Sequence, residues 1–379
     1  MAERGGTRSN TAGGADGVAA RVWNPGGPSA ARMKLVETPT SKPEPAKTAR
    51  IVAVAGAKGG VGKSVLASSV AIALAAAGRR VVAIDLDLGA ANLHLMTGVK
   101  RPAKSLDDFF SSRTASLADC ATPTAFPGLR LVAGDGARLG AANPAHQTKM
   151  RLIRHLRDLD ADVIVCDLGA GTGYNTLDFW LMAGERLVVT TTEPPAILDA
   201  YAMIKTSLYR YLLMRLKAQP DRPENFDAIE EYLHGRAEPT IAALSLRGYL
   251  AKLREQDGVV AGKMRTWVES FAIEFVLNQS HGEADLALVG RLTDLAAGNL
   301  GLTPPSVTRL PREATLPNSI ARLVPFVASR PESPYAWAVA ELAARIAGLG
   351  RNDGARRILA ALAVNAGDAA ERIRTQIFD

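Results

Sequence analysis

"IVAVAGAKGGVGKSVLASSVAIALAAAG", residues 51–78, is the stretch that decides the fold. It opens on a continuous apolar run, Ile51–Ala55, which predicts a strand buried on both faces, as in a parallel sheet. From Ser64 onward, apolar residues recur at helical spacing until Gly78 stops the helix. Between strand and helix, Gly56, Gly59, Gly60 and Gly62 let the backbone curl and turn its N–H groups toward one point. The helix N-terminus faces the same point and favours an anion there. Strand, glycine loop, Lys63-Ser64 and helix together read as a phosphate-binding loop. One departure stands out. Counting back from Lys63, the usual first glycine is replaced by Ala57, and a second lysine, Lys58, follows it.

"KGGVGKS", Lys58–Ser64, resembles the deviant Walker A loop of the MinD/ParA family of ATPases. The resemblance implies ATP and Mg²⁺ as cofactors. It makes Gly59, Gly60, Val61, Gly62, Lys63, Ser64 and Val65 nucleotide-binding residues, with Ser64 also on the metal. Lys63 would hold the β- and γ-phosphates of its own subunit's nucleotide. Lys58 would reach across a dimer interface to the partner's phosphates. A positive charge supplied there acts where negative charge spreads in the transition state.

Outward from the loop, strands and helices alternate. Residues 79–88, 129–134, 161–169, 186–193, 272–280 and 306–311 read as further strands. Helical patterns lie between most of them, as at 145–159. The expected fold is α/β: a doubly wound, largely parallel sheet of P-loop NTPase type with flanking helices, its ligands at strand C-termini. Residues 1–48, rich in Gly, Ala, Ser, Pro and Arg without periodicity, read as a disordered tail. The ATPase domain is expected over 49–350, with a charged helical insertion at about 212–268. A closing helix is expected over 351–379.

Three more segments carry polar residues to strand ends. "DLDLGAANL", Asp85–Leu93, is similar to the family's switch I, and Gly89–Asn92 favours the MinD/FlhG branch. The match implies that Asp87 orients the attacking water, Asn92 helps hold it, and Asp85 lies near the metal. "DLGAG", Asp167–Gly171, resembles switch II: Asp167 would face Mg²⁺ through water, and Gly171 would offer its N–H to the γ-phosphate. "FVLNQS" ends on Asn278, whose amide both donates and accepts and would read the adenine edge, with Pro311 packing along the base. "TTTEPP", Thr190–Pro195, resembles a family segment near the dimer face, and no catalytic role attaches to it.

Composition narrows the function. The net charge is +7, but residues 1–50 hold eight basic and four acidic residues and so carry more than half of it. That weakens any basic DNA-binding face on the folded part, and DNA is an unlikely partner. Cys120 and Cys166 form no metal spacing and no disulfide framework, which fits a reduced cytoplasm. No signal peptide or membrane-spanning run is visible. The resemblance implies a slow, dimer-dependent ATP hydrolase. Its ATP-driven homodimerisation would switch a spatial or numerical regulator of a cellular structure, acting on an unidentified protein partner. The competing readings are a ParA-like DNA-partition ATPase and a non-hydrolysing ATP-bound scaffold. Residues 351–379, with Arg356 and Arg357 before Ile358, Leu359 and Leu362, are a candidate for peripheral contact with the inner face of the membrane.

Overall fold

The computed structural model describes residues 49–134, 146–303 and 306–378. The expected tail at 1–48 lies outside them. The strands are β1 (Arg50–Ala55), β2 (Val81–Leu86), β3 (Thr122–Pro123), β4 (Leu129–Val132), β5 (Val163–Leu168), β6 (Glu185–Thr190), β7 (Glu274–Ser280) and β8 (Ser306–Pro311). They form one sheet in the order β3-β4-β2-β5-β1-β6-β7-β8. Every pairing between these strands is parallel except β3 with β4. The expected doubly wound sheet is therefore present. The two-residue β3 has no pattern long enough to read in the sequence.

Alternation along the strands divides the core in two. Ala53 and Ala55 of β1 face one cluster with Ile164, Cys166 and Leu168 of β5. Val52 and Val54 face the other with Val163 and Val165. The first cluster is closed by Pro194–Lys217, Leu246–Gln256, Gly258–Glu269 and Leu286–Leu300. The second is closed by Lys63–Ala76, Pro334–Ile346 and Arg351–Phe378.

One boundary differs from the sequence reading. The expected start of an insertion near residue 212 falls inside a single 24-residue helix, Pro194–Lys217. Leu208, Leu212, Leu213 and Leu216 continue its buried stripe without a break. The closing helix begins at Arg351 and passes through Gly354 and Gly367 uninterrupted. Gly354 is needed there because a Cβ would come within 2.8 Å of Ala344 on the neighbouring helix. One apolar stripe of this helix faces inward: Ala355, Ile358, Leu362, Ala369 and Ile373 are all buried in the second cluster, while Val364 is 80% exposed.

Candidate functional site

β1 delivers the loop Gly56–Gly62 onto the start of the Lys63–Ala76 helix. Gly62 has φ +95°, which L side chains avoid, and a Cβ on it would lie 2.2 Å from Asn278 Nδ2. Only glycine fits that position. Asn278, at the end of β7, donates from Nδ2 to the Val61 carbonyl at 2.8 Å. The next residue, Gln279, holds φ +57°, a left-handed conformation rare outside glycine. Asn278 therefore braces the loop from below, which its sequence signal as a base reader did not foretell. Val61 itself is buried, and Val65 is half-buried in the first turn of the helix. Gly59 and Gly60 have open space where a side chain would be, as a phosphate cradle requires.

The two lysines part company. Lys63 is 7% exposed, and its Nζ turns back to the Lys58 carbonyl at 3.4 Å. The Lys58 side chain is 44% exposed and pairs with Glu193 Oε2 at 3.1 Å, the glutamate being 65% exposed. Glu193 stands at the N-cap of Pro194–Lys217. Sequence reasoning placed that segment near the site without giving Glu193 a role, because a pairing across 135 positions leaves no local signal.

Two carboxylates meet beneath the loop. Asp85 ends β2 and Asp167 ends β5, directly opposite one another in register. Both Asp85 oxygens are engaged: Oδ2 accepts from the Leu93 N–H at 2.9 Å and Oδ1 from the Asp87 N–H at 3.1 Å. Burial pushes its pKa up to about 7, and those backbone donors oppose the rise. Asp85 thus anchors the switch I loop through both of its oxygens. Asp167 is different. It is 1% exposed, and neither oxygen accepts a hydrogen bond of normal geometry. Burial foremost, then the charge on Asp85, pushes it up to about 8, while Ser64 and Lys63 pull the other way. A buried carboxylate without partners is a site for a cation. Asp167, with the Ser64 hydroxyl beside it, fits Mg²⁺ and is the stronger of the two aspartates for that task.

The remaining site residues line the same end of the sheet. Asp87 Oδ1 accepts from the Ala90 N–H at 3.1 Å, and Asn92 Nδ2 donates to the Ala90 carbonyl at 2.9 Å. Both shape the switch I loop with their own side chains. Gly169 lies against Asp87, where a Cβ would meet Asp87 Oδ1 at 3.1 Å. Gly171, with φ +96°, donates its N–H to the Gly56 carbonyl at 3.4 Å. Pro311 is the register partner of Ser280 and so sits beside the Asn278 end of β7. The structure brings all the expected residues to the C-terminal edge of the sheet, where open α/β sheets take their ligands.

A strand, a glycine loop at a helix N-terminus, a buried lysine and an unpartnered aspartate define a P-loop nucleotide-binding protein. Residues 52–272 match the model of the CobQ/CobB/MinD/ParA nucleotide binding domain, and the chain belongs to that family. It is 38% identical over 161 residues to the antiactivator FleN of Pseudomonas aeruginosa, a match covering 41% of this chain and 55% of FleN. Against the flagellum site-determining protein YlxH of Helicobacter pylori it is 31% identical over 214 residues, covering 55% of this chain and 70% of that protein. The cell-division ATPase MinD of Pyrococcus furiosus superposes over 79% of this chain and 99% of its own, with TM-score 0.54 and 22% identity. MinD of Pyrococcus horikoshii, solved with Mg-ADP, superposes over 79% of this chain and 96% of its own, with TM-score 0.52 and 20% identity. These likenesses establish the shared fold.

Proposed function

We propose that this chain is a slow Mg²⁺-dependent ATPase of the MinD/FlhG branch, in which ATP joins two copies face to face and hydrolysis releases them. The observation that carries the reading is the division between its two lysines. Lys63 is buried in its own loop, whereas Lys58 stands exposed at the mouth, held only by an exposed pair with Glu193. Such a pair contributes about 0–1 kcal/mol, so Lys58 is free to leave it for another phosphate. Asp87 and Asn92 would then act on the attacking water once the loop is drawn in. Asn278 and Pro311 would bound the base. The names of the similar relatives, an antiactivator and a flagellum site-determining protein, suggest spatial or numerical control of a cell structure through a protein partner. We place it in the cytoplasm, and we read 49–350 as the ATPase unit with its helical segment as an addition to it.

The test is Lys58→Ala. ATP binding should persist and dimer-dependent turnover should fall by roughly 10³-fold or to background, as for other fingers supplied in trans. Undiminished turnover per dimer would refute the role. Lys63→Ala should instead lose nucleotide affinity.

A further inference from the structure

At the amino ends of β7 and β8, away from the phosphate loop, three helical elements enclose a groove of about 890 Å³. Its walls are Leu246–Gln256, Gly258–Glu269, and the last turn of Leu286–Leu300 with Gly301 and Leu302. Leu250, Ala251 and Ala297 present accessible apolar surface to it, above Val268 and Leu300, which are almost wholly buried. Arg247, Arg254 and Arg265 line it as well, and all three are exposed. Arg247 and Arg254 are seven residues apart, two helical turns, and so share a face of one helix. Arg265 comes from the adjoining helix.

Very little negative charge answers these three guanidiniums. Among the described residues, the one acid lining the groove is Glu269, already paired with Arg265 at 3.2 Å. Asp257, at the joint of the two helices, is occupied in capping the Val259 and Val260 N–H groups. Among the described residues, Arg247 and Arg254 have no ion pair. An apolar trough whose rim carries the two unpaired guanidiniums of Arg247 and Arg254 is complementary to one kind of surface. Leucine-like side chains would cover the floor, and carboxylates would meet the guanidiniums, which bind them in paired hydrogen bonds.

We propose that this groove is the docking site for an acidic amphipathic segment of a partner protein. A bilayer is flat and cannot reach an apolar floor sunk between helices. Duplex DNA is held by tracks of phosphate contacts rather than by an apolar trough. Because the groove lies at the opposite ends of the strands from Gly56–Ser64, docking leaves the phosphate loop uncovered. The partner can therefore stay bound in both nucleotide states. The inference goes beyond the ATP switch and does not depend on it.

The experiment uses the full chain and a fluorescein-labelled peptide built of Glu-Leu-Leu-Glu-Glu repeats, followed by fluorescence anisotropy. The peptide should bind, with equal affinity in ATP, in ADP and without nucleotide. A sister peptide with lysine in place of every glutamate should not. Arg247→Glu with Arg254→Glu should weaken binding by at least about tenfold, the loss of one well-formed charge contact. Its melting temperature and ATP affinity should stay as in the wild type. Should that reversal disturb folding, Arg247→Gln with Arg254→Gln must give the same direction of loss. Equal binding of the two peptides, or a double variant that binds as well as wild type, would overturn the proposal. So would an unbound acidic peptide together with arginine-dependent binding of duplex DNA or of phosphatidylserine vesicles.

Discussion

Replacing Asp167 by asparagine should make the metal-free protein more stable, although it removes a site residue. The side chain is 1% exposed, neither oxygen accepts a hydrogen bond of normal geometry, and the nearby Ser64 hydroxyl and Lys63 do not offset its burial. Burial and the neighbouring Asp85 hold its folded pKa at about 8, against 3.8 for the free side chain. The folded state therefore binds the proton more tightly than the unfolded state. Stability is greatest below the unfolded value and falls as pH rises from about 4 toward 8. At about 1.4 kcal/mol per pH unit, the full difference would approach 5 kcal/mol near neutrality. Local relaxation and water entry in real proteins reduce such penalties, so a gain of about 1–3 kcal/mol at pH 7.5 is expected. For a chain of this size that is a rise of roughly 1–4 °C in Tm.

The assay is differential scanning fluorimetry of wild type and Asp167→Asn between pH 5 and pH 8, with EDTA and then with Mg²⁺. In EDTA the two Tm curves should diverge as pH rises, the variant above. Added Mg²⁺ should raise the wild type and leave the variant where it was, since the cation supplies the charge the carboxylate lacks. A variant less stable than wild type at pH 7.5 in EDTA would refute the electrostatic reasoning. Equal stabilisation of both proteins by Mg²⁺ would refute the metal assignment alone.

Two further outcomes are expected. Asn278→Ala leaves the Val61 carbonyl without its donor inside the protein, costing about 1–3 kcal/mol and weakening ATP binding. Titration of ATP and GTP against the variant separates the roles: a brace weakens both alike, whereas a base reader loses discrimination. Ile358→Ala, at a fully buried position, should lower stability by about 2–4 kcal/mol in urea unfolding, and a cost below 0.5 would deny that the closing helix belongs to the core.

How much of this was legible depends on how far apart the interacting residues stand. Ile51–Gly78 carries strand, loop and helix in one stretch, so the site's centre could be read directly. The central strands announced themselves by their apolar runs, whereas the edge strand β8, Ser306–Pro311, has none. Asp85 and Asp167 were visible as polar residues leaving apolar strands, but their division of labour was not. It rests on which loop N–H groups fold back onto Asp85, a matter of local backbone geometry that residue type alone does not fix. The Lys58–Glu193 and Asn278–Val61 contacts are instead products of sheet order, with β6 beside β1 and β7 one strand further on. The closing helix was ambiguous for a different reason. A stripe of Ile358, Leu362 and Ile373 suits a membrane surface or a core equally, and only the neighbouring helices decide.

Those neighbours bear directly on membrane contact. To lie on a bilayer, the closing helix would have to withdraw Ile358, Leu362 and Ile373 from the second core cluster and expose the residues beneath them. Each buried side chain of this size is worth about 1.5–3 kcal/mol against water. A bilayer could return that amount only to the helix, not to the core it uncovers. Its charge gives little help, because residues 351–379 hold five arginines and four acids. The packed state is therefore favoured, and a membrane role for this helix would need a second event to release it. The exposed Leu198, in the first turns of the helix that begins beside Glu193, faces no such obstacle. It is 65% exposed on the element that carries the partner of Lys58. Apolar surface that is free to be covered thus lies on the element adjoining the phosphate loop, while the stripe of the closing helix that could enter a bilayer, Ile358, Leu362 and Ile373, is committed to the fold.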